Sequence, residues 1–221
     1  MFLGIDCSTQ SLKIVVINEH RELVKEVFVV YDDELKNYKT INGVIRHSSE
    51  IDNCIEHIST PTLLFIDALE LCMEKIKNDG FDLSSIKAIS ASGQQHGSVW
   101  WKNNSIDLLK QLMNHAISES KLIHVFSSSF SLPLSPIWMD SSTTVECKEL
   151  TVKIGSSQVL ADITGSRAYE RFTGPQIKHI YKYEPQIYNN TERISLISSF
   201  IPTILTGEYA PIDFSDGKTL R

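Results

Sequence analysis

Asp6, Ser8, Thr9, Gln10, Ser11 and Lys13 crowd one short run near the start of the chain, Gly4-Ile5-Asp6-Cys7-Ser8-Thr9-Gln10-Ser11-Leu12-Lys13. Hydroxyls and backbone N–H groups in a tight turn can face phosphate oxygens. A carboxylate at a strand end can hold Mg²⁺ directly or through water, because hard cations take oxygen ligands. An Asp-Ser turn in an ordinary hairpin has the same composition, so this run alone leaves both readings open. A second run, Ser92-Gly93-Gln94-Gln95-His96-Gly97, gathers amides and an imidazole between two glycines. Polyol sites need such groups, since each hydroxyl both donates and accepts; a polar turn with a surface His is the plain alternative. A third, Trp138-Met139-Asp140-Ser141-Ser142-Thr143, offers Asp140 either as a helix cap or as an acceptor for a hydroxyl. A fourth runs from Thr164 to Gly174 and carries Arg167, Glu170 and Arg171. These make surface ion pairs of small worth, or an Arg whose five fixed donors suit a polyhydroxylated ligand.

Such groups act together only if the elements between them fold onto one another. Residues 2–6 read as a short buried strand ending at Asp6. Leu12 to Ile17 is a β-branched run, and Leu23 to Tyr31 is another, each after a short turn. Three strands joined so closely form an antiparallel meander, since a parallel crossover needs a dozen or more residues. Residues 32–59 read as a polar, irregular excursion. Thr60-Pro61 then suggests an N-cap with proline at the first helical position. Leu64, Ala68, Leu71, Cys72 and Ile76 share one helical face, and Asn78-Asp79-Gly80 closes the helix. Further strands are expected at Ile86–Ala91, Val99–Trp101, Pro136–Met139 and Ile194–Ser199. Further helices are expected within 103–135, from Thr143 to Val152 behind a Ser141-Ser142 cap, over 155–163, from Phe172 to Lys182, and from Phe200 to Leu205. The Ser-rich stretch Ser127–Ser135 reads as a loop or insertion. The pattern is mixed α/β.

Composition narrows the function classes. Of 221 residues, 42% are apolar and 22% charged, which suits a folded globular chain with a sizeable core. The net charge of −6, with no basic block, argues against nucleic acid and anionic membranes as partners. Cys7, Cys54, Cys72 and Cys147 form no C-x-x-C pair, so reduced thiols are expected rather than a zinc site or a disulfide framework. The N-terminus lacks the basic and apolar regions of a signal peptide, and no apolar run approaches the ~20 residues of a membrane helix. A cytoplasmic location is expected, with the sequons at Asn103 and Asn189 unmodified.

Taken together, the four runs resemble the FGGY carbohydrate kinases. The similar segments are Leu3 to Lys13, Gly93 to Trp101, Pro136 to Leu150, Thr164 to Ile180 and Thr191 to Asp216. Gln-Gln-His-Gly-Ser, Trp-Met-Asp-Ser-Ser-Thr-Thr and Gly-Ser-Arg-Ala-Tyr-Glu-Arg-Phe-Thr-Gly are long literal matches. The resemblance implies a ribonuclease-H-like fold of the actin and hexokinase type, an α/β N-terminal kinase domain over 1–217 with helices flanking a mixed sheet. It implies phosphoryl transfer from ATP, with Mg²⁺, to a sugar. The Gln-Gln-His and Arg-Phe-Thr-Gly matches favour D-xylulose over another pentulose or polyol. By the same resemblance Asp6 lies near the metal, and Thr9, Gln10, Ser11 and Lys13 surround the ATP phosphates. His96 and Arg171 match positions that contact the sugar, with Gln95 and Asp140 beside them.

The resemblance runs through Asp213-Phe214-Ser215-Asp216-Gly217 and stops at the divergent residues 218–221, Lys218-Thr219-Leu220-Arg221. In the family, a second domain supplies the adenosine pocket and the aspartate that takes the sugar's proton. No catalytic base is therefore expected among these residues. Two expectations follow: a truncated kinase with little activity alone, or a non-catalytic sugar-binding or vestigial fragment.

Overall fold

The computed structural model describes residues 1–48, 56–113 and 121–219, the last two of them through their backbone only. It opens with the expected meander: β1 (Phe2–Cys7), β2 (Ser11–Ile17) and β3 (Leu23–Val30), each antiparallel to the next. Period-two alternation turns Leu3, Ile5 and Cys7 of β1, and Leu12, Ile14 and Val16 of β2, onto one buried face. A short helix, α1 (Tyr31–Glu34), follows directly, so Tyr31 leaves the strand. Residues 32–48 and 56–59 hold more regular structure than their polarity suggests. β4 (Ile45–Ser48) and β5 (Glu56–Pro61) pair antiparallel on either side of residues 49–55, which lie outside the described residues. α2 (Thr62–Asn78) packs Leu64, Ala68, Cys72 and Ile76 onto β2 and β3, each fully buried. Just past its C-cap, Asp79, comes Gly80, whose φ of +74° suits a residue without a Cβ. β6 (Ala88–Gly93) then runs parallel to β1 and completes a four-stranded sheet of order β3-β2-β1-β6.

β7 (Ser98–Lys102) leads to α3 (Ser105–Met113), α4 (Leu122–Val125), β8 (Phe130–Leu132) and β9 (Leu134–Pro136). Next come α5 (Thr144–Ile154), α6 (Ser157–Thr164), α7 (Thr173–Tyr183), α8 (Pro185–Asn189), β10 (Thr191–Leu196) and α9 (Ile197–Thr206). Two smaller sheets, β10-β7-β8 and β4-β5-β9, flank the first. Trp101 joins the layers, with its ring 6.0 Å from Phe126, 5.1 Å from Phe130 and 5.4 Å from Phe200. Burying one such side chain is worth about 1.5–3 kcal/mol.

Five local expectations are corrected. Thr60 and Pro61 close a strand instead of opening a helix: they pair with Ser135 and Leu134, and α2 starts at Thr62, whose N–H donates to Pro133 O at 2.9 Å. That pairing also makes part of Ser127–Ser135 into strands, β8 and β9, because distant partners supply hydrogen bonds that the serines' propensity does not. β9 ends at Pro136, and Ile137–Asp140 turn instead of continuing the strand, closed by Asp140 N–H to Ile137 O at 2.9 Å. The cap of α5 is Thr143, since the Ser142 hydroxyl folds back onto Asp140. Strand β10 sits earlier than Ile194–Ser199, leaving Ile197 to begin α9.

Cys7, Cys72 and Cys147 are free and buried; Cys54 lies outside the described residues. Burial pushes the Cys7 and Cys72 thiols up to about 12. Cys7 lies on β1 and Cys72 on the face of α2 that covers the sheet, with Cys72 Sγ 3.5 Å from Leu12 O.

Candidate functional site

The first turn is held from three sides. Ser8 N–H donates to Ser11 O at 3.0 Å, the Tyr31 hydroxyl donates to Ser8 O at 3.0 Å, and Tyr31 N–H donates to Gln10 O at 3.0 Å. Beneath it lies Gly43, with φ +77°; a Cβ there would fall 2.0 Å from Thr9 O. Asp32 fixes that glycine's own turn by accepting from the Thr40 hydroxyl at 2.7 Å and from Gly43 N–H at 3.1 Å. Asp6 points to the exposed face of the sheet. Its Oδ2 accepts from the Ser8 hydroxyl at 2.6 Å and its Oδ1 from the Ser92 hydroxyl at 2.8 Å. Lys13 pairs in register with Asp6 on that face, but its ammonium binds Glu26 at 2.8 Å, and this partner holds it above the ordinary lysine range.

The second loop begins where β6 ends. Ser92 and Gly93 belong to the strand, and Gln94 N–H donates to Cys7 O at 2.9 Å, tying the loop to β1. Gly93 is needed because α9 starts against it: a Cβ would meet Ile197 Cγ2 at 2.7 Å. His96 adopts φ +66°, a left-handed conformation that turns its ring onto Phe172, with centroids 5.1 Å apart. Its Nδ1 is buried without a hydrogen-bond partner among the described residues. Burial, and then the Arg171 guanidinium, hold the imidazole below its ordinary range, opposed by Asp216. His96 is therefore neutral at pH 7.

Arg171 stands just before α7. A turn closed by Phe172 N–H to Tyr169 O at 3.0 Å aims it, and its guanidinium lies 5.1 Å from the Tyr169 ring centre. Arg167 lies 4.5 Å from the same centre. The segments meet in one hollow of about 440 Å³. Ser8 and Thr9 line it from the first turn, Gln94, Gln95 and His96 from the second loop, and Trp138 and Arg171 from the other side. A neighbouring hollow of about 400 Å³ shares Trp138 and Arg171 and includes Asp140.

Thr9, Gln95, His96 and Arg171, from separate parts of the sequence, thus share one hollow. Asp6, Gln10, Ser11 and Lys13 do not line it. Asp140 is only 3% exposed. Its carboxylate accepts from Ile58 N–H at 2.8 Å, Ser142 N–H at 3.0 Å, the Ser142 hydroxyl at 2.5 Å and the Gln176 amide at 2.7 Å. The His57 ring stands 3.8 Å away. Asp140 therefore ties β5, the 137–142 turn and α7 together behind the site. Sequence reasoning passed over Trp138, Gln94 and Gln176. The first two stand inside quoted runs, but nothing in spacing says which member of a run faces a cavity.

The chain is 44% identical to xylulose kinase 2 of Arabidopsis thaliana over 221 residues, all of this chain and 38% of that protein. It is 43% identical to the xylulose kinase of Rattus norvegicus, covering 99% of this chain and 39% of that one. It is 44% identical to that of Schizosaccharomyces pombe, covering 98% and 37%. The chain is a relative of the xylulose kinases. It spans somewhat more than a third of the length of these relatives. No protein-family profile matches it. Among solved structures, Plasmodium falciparum glycerol kinase with ADP superposes with a TM-score of 0.66 at 16% identity, over 99% of this chain and 36% of that one. The xylulose kinase of Bifidobacterium adolescentis gives 0.62 at 17%, over 96% and 35%. The fold is that of the FGGY sugar kinases, of the actin and hexokinase type.

Proposed function

We propose that residues 1–217 form the sugar-side and phosphate-side wall of a xylulose kinase site, serving transfer of a phosphoryl group from ATP to D-xylulose. The observation that carries this reading is the convergence of Thr9, His96 and Arg171 on one hollow of about 440 Å³. D-Xylulose sits there, its hydroxyls met by the Arg171 fork, by the exposed Gln95 amide and by neutral His96. Because Nδ1 is sealed, Nε2 is the imidazole nitrogen left for the ligand. Asp140 acts by holding this wall in place, since its oxygens already serve four donors.

The phosphates of ATP lie along the Ser8–Ser11 turn, with Gln10 and Ser11 offering polar groups and Lys13 adding positive charge at the edge. Among the described residues, no group of three or more metal-ligating side chains is poised to hold an ion. Exposed Asp6, flanked by the Ser8 and Ser92 hydroxyls, nevertheless fits a Mg²⁺ that arrives on the phosphates, for such ions keep water and phosphate oxygens and take only one or two carboxylates. The ion would neutralise charge on the transferring group. The net charge of −6 supports neither nucleic acid nor anionic membrane as a partner, and no described helix is long and apolar enough to cross a membrane. A cytoplasmic setting fits a sugar kinase.

A phosphoryl acceptor must lose a proton, and no carboxylate among the described residues lines the hollow. Residues 1–221 alone therefore bind and position more than they catalyse, which also keeps a sugar-binding role without turnover as the second reading. The test is calorimetric titration of purified 1–221 with D-xylulose, together with a coupled ADP-release assay beside a two-domain xylulose kinase. Binding that Arg171→Ala abolishes, with turnover at least a hundredfold below the two-domain enzyme, is expected; a general base alone commonly contributes about 10²–10⁴-fold. No sugar binding at millimolar concentrations rejects the proposal.

A further inference from the structure

Trp138 is the one tryptophan with substantial exposure, 42%, while Trp100 and Trp101 are fully buried. It stands 129 positions after Thr9 in sequence, yet its indole N–H donates to Thr9 Oγ1 at 2.9 Å. The Thr9 hydroxyl in turn donates to Gln94 Oε1 at 3.4 Å. The other atom of that amide, Nε2, is buried without a hydrogen-bond partner among the described residues.

A hydroxyl has one proton and two lone pairs. Here the indole fills one lone pair and the Gln94 carbonyl takes the proton. A phosphate oxygen, which only accepts, finds nothing to bond on Thr9 in this arrangement. Turning the Gln94 amide by half a rotation reverses the bond. Nε2 then donates to Thr9 Oγ1, both lone pairs are filled, and the hydroxyl proton is released toward the turn. The exchange moves the unpaired atom from a buried N–H₂ to a buried carbonyl, the less rarely orphaned of the two kinds of group.

We propose that Trp138 and Gln94 are positioning residues that set the direction of the Thr9 hydroxyl, so that the sugar-side loops decide when the first turn can donate to a phosphate. This rests on the reading of that turn as a phosphate site. The pin itself is a property of the empty chain and is measured without ligand.

The experiment follows the three indole N–H signals of ¹⁵N-labelled 1–221 by NMR, with Trp138→Phe identifying the signal of Trp138. In Thr9→Val that signal is expected to move and its exchange with water to rise several-fold. The Trp100 and Trp101 signals, bonded to Ser98 and Ser195 hydroxyls, stay in place. Thr9→Ser, which restores the hydroxyl, returns it. An unmoved Trp138 signal in Thr9→Val overturns the pin. Should Thr9→Val not fold, Trp138→Phe decides instead: backbone amides of 8–10 and 94–96 exchange several-fold faster if the pin exists, and unchanged exchange overturns it. Mg²⁺·ATP is then added to the unmodified chain. A shift of the Gln94 side-chain amide signals supports the rotor, and ATP binding that leaves them unmoved overturns it. No effect of ATP on any signal rejects the phosphate reading itself and, with it, the rotor, while the indole signals still decide the pin.

Discussion

His96 and Arg171 are linked by charge as well as by place. The guanidinium is one of the two causes that hold the imidazole below its ordinary value of 6.5. Replacing Arg171 with Gln should therefore raise the His96 pKa toward 6.5, read from the His96 ring signals in an NMR pH titration; an unchanged pKa shows that the two groups do not sense each other. The sign for stability follows from the same shift. A histidine depressed in the fold is bound by fewer protons there than in the unfolded chain. Its contribution is whole above 6.5 and is lost as pH falls from 6.5 through the lower folded value. Sugar affinity should fall over the same range as His96 gains charge beside Arg171, measured by calorimetry between pH 7.5 and 5. Arg171→Lys keeps the charge but loses the planar fork, and about tenfold weaker sugar binding is expected, for about 1.4 kcal/mol. The identities of His96 and Arg171 were legible from the sequence as members of polar runs. That Gln94 is turned inward and Gln95 outward was not, since that depends on Gly97 and Ile197 packing against the loop.

At the scale of elements, the meander and α2 were legible because each carries its own periodicity: alternate residues in β1 and β2, every third or fourth in α2. β8, β9 and β5 were not. β8 and β9 are three residues each, and the serines and prolines of all three strands have little strand propensity of their own. Only pairing between distant segments, Thr60 with Ser135 and Trp100 with Leu132, makes them strands. The turn over Gly43 belongs to the same class, being set by contact with Thr9. Gly43→Ala places a methyl group 2.0 Å from a carbonyl at a left-handed φ. It should destabilise the chain by about 2 kcal/mol or more, read from urea denaturation, and should disturb the Ser8–Ser11 turn. Asp140→Asn replaces an acceptor-only carboxylate by an amide that must aim two protons at donors. A loss of about 1–3 kcal/mol is expected from the same measurement, with weakened sugar binding following from the loosened wall.

For the whole molecule, the order of motifs along the chain was legible at once, while their convergence was not, since four polar runs can fold onto four different faces. The sheet of order β3-β2-β1-β6 brings the first two runs together by laying β6 parallel beside β1, so that the turn after one and the loop after the other open at the same edge. That edge is where a substrate would enter, and the same arrangement has a further consequence through its thiols. Cys7 lies on β1 directly before the turn, and Cys72 lies on the helix that covers the sheet; both are fully buried, with thiols held near 12. Neither can be alkylated while sheet and helix stay in contact, because reagents attack the thiolate and need a path to it. A chemical mark on either sulfur is thus a dated record that the two layers had parted, and its rate of accumulation clocks how often the molecule breathes.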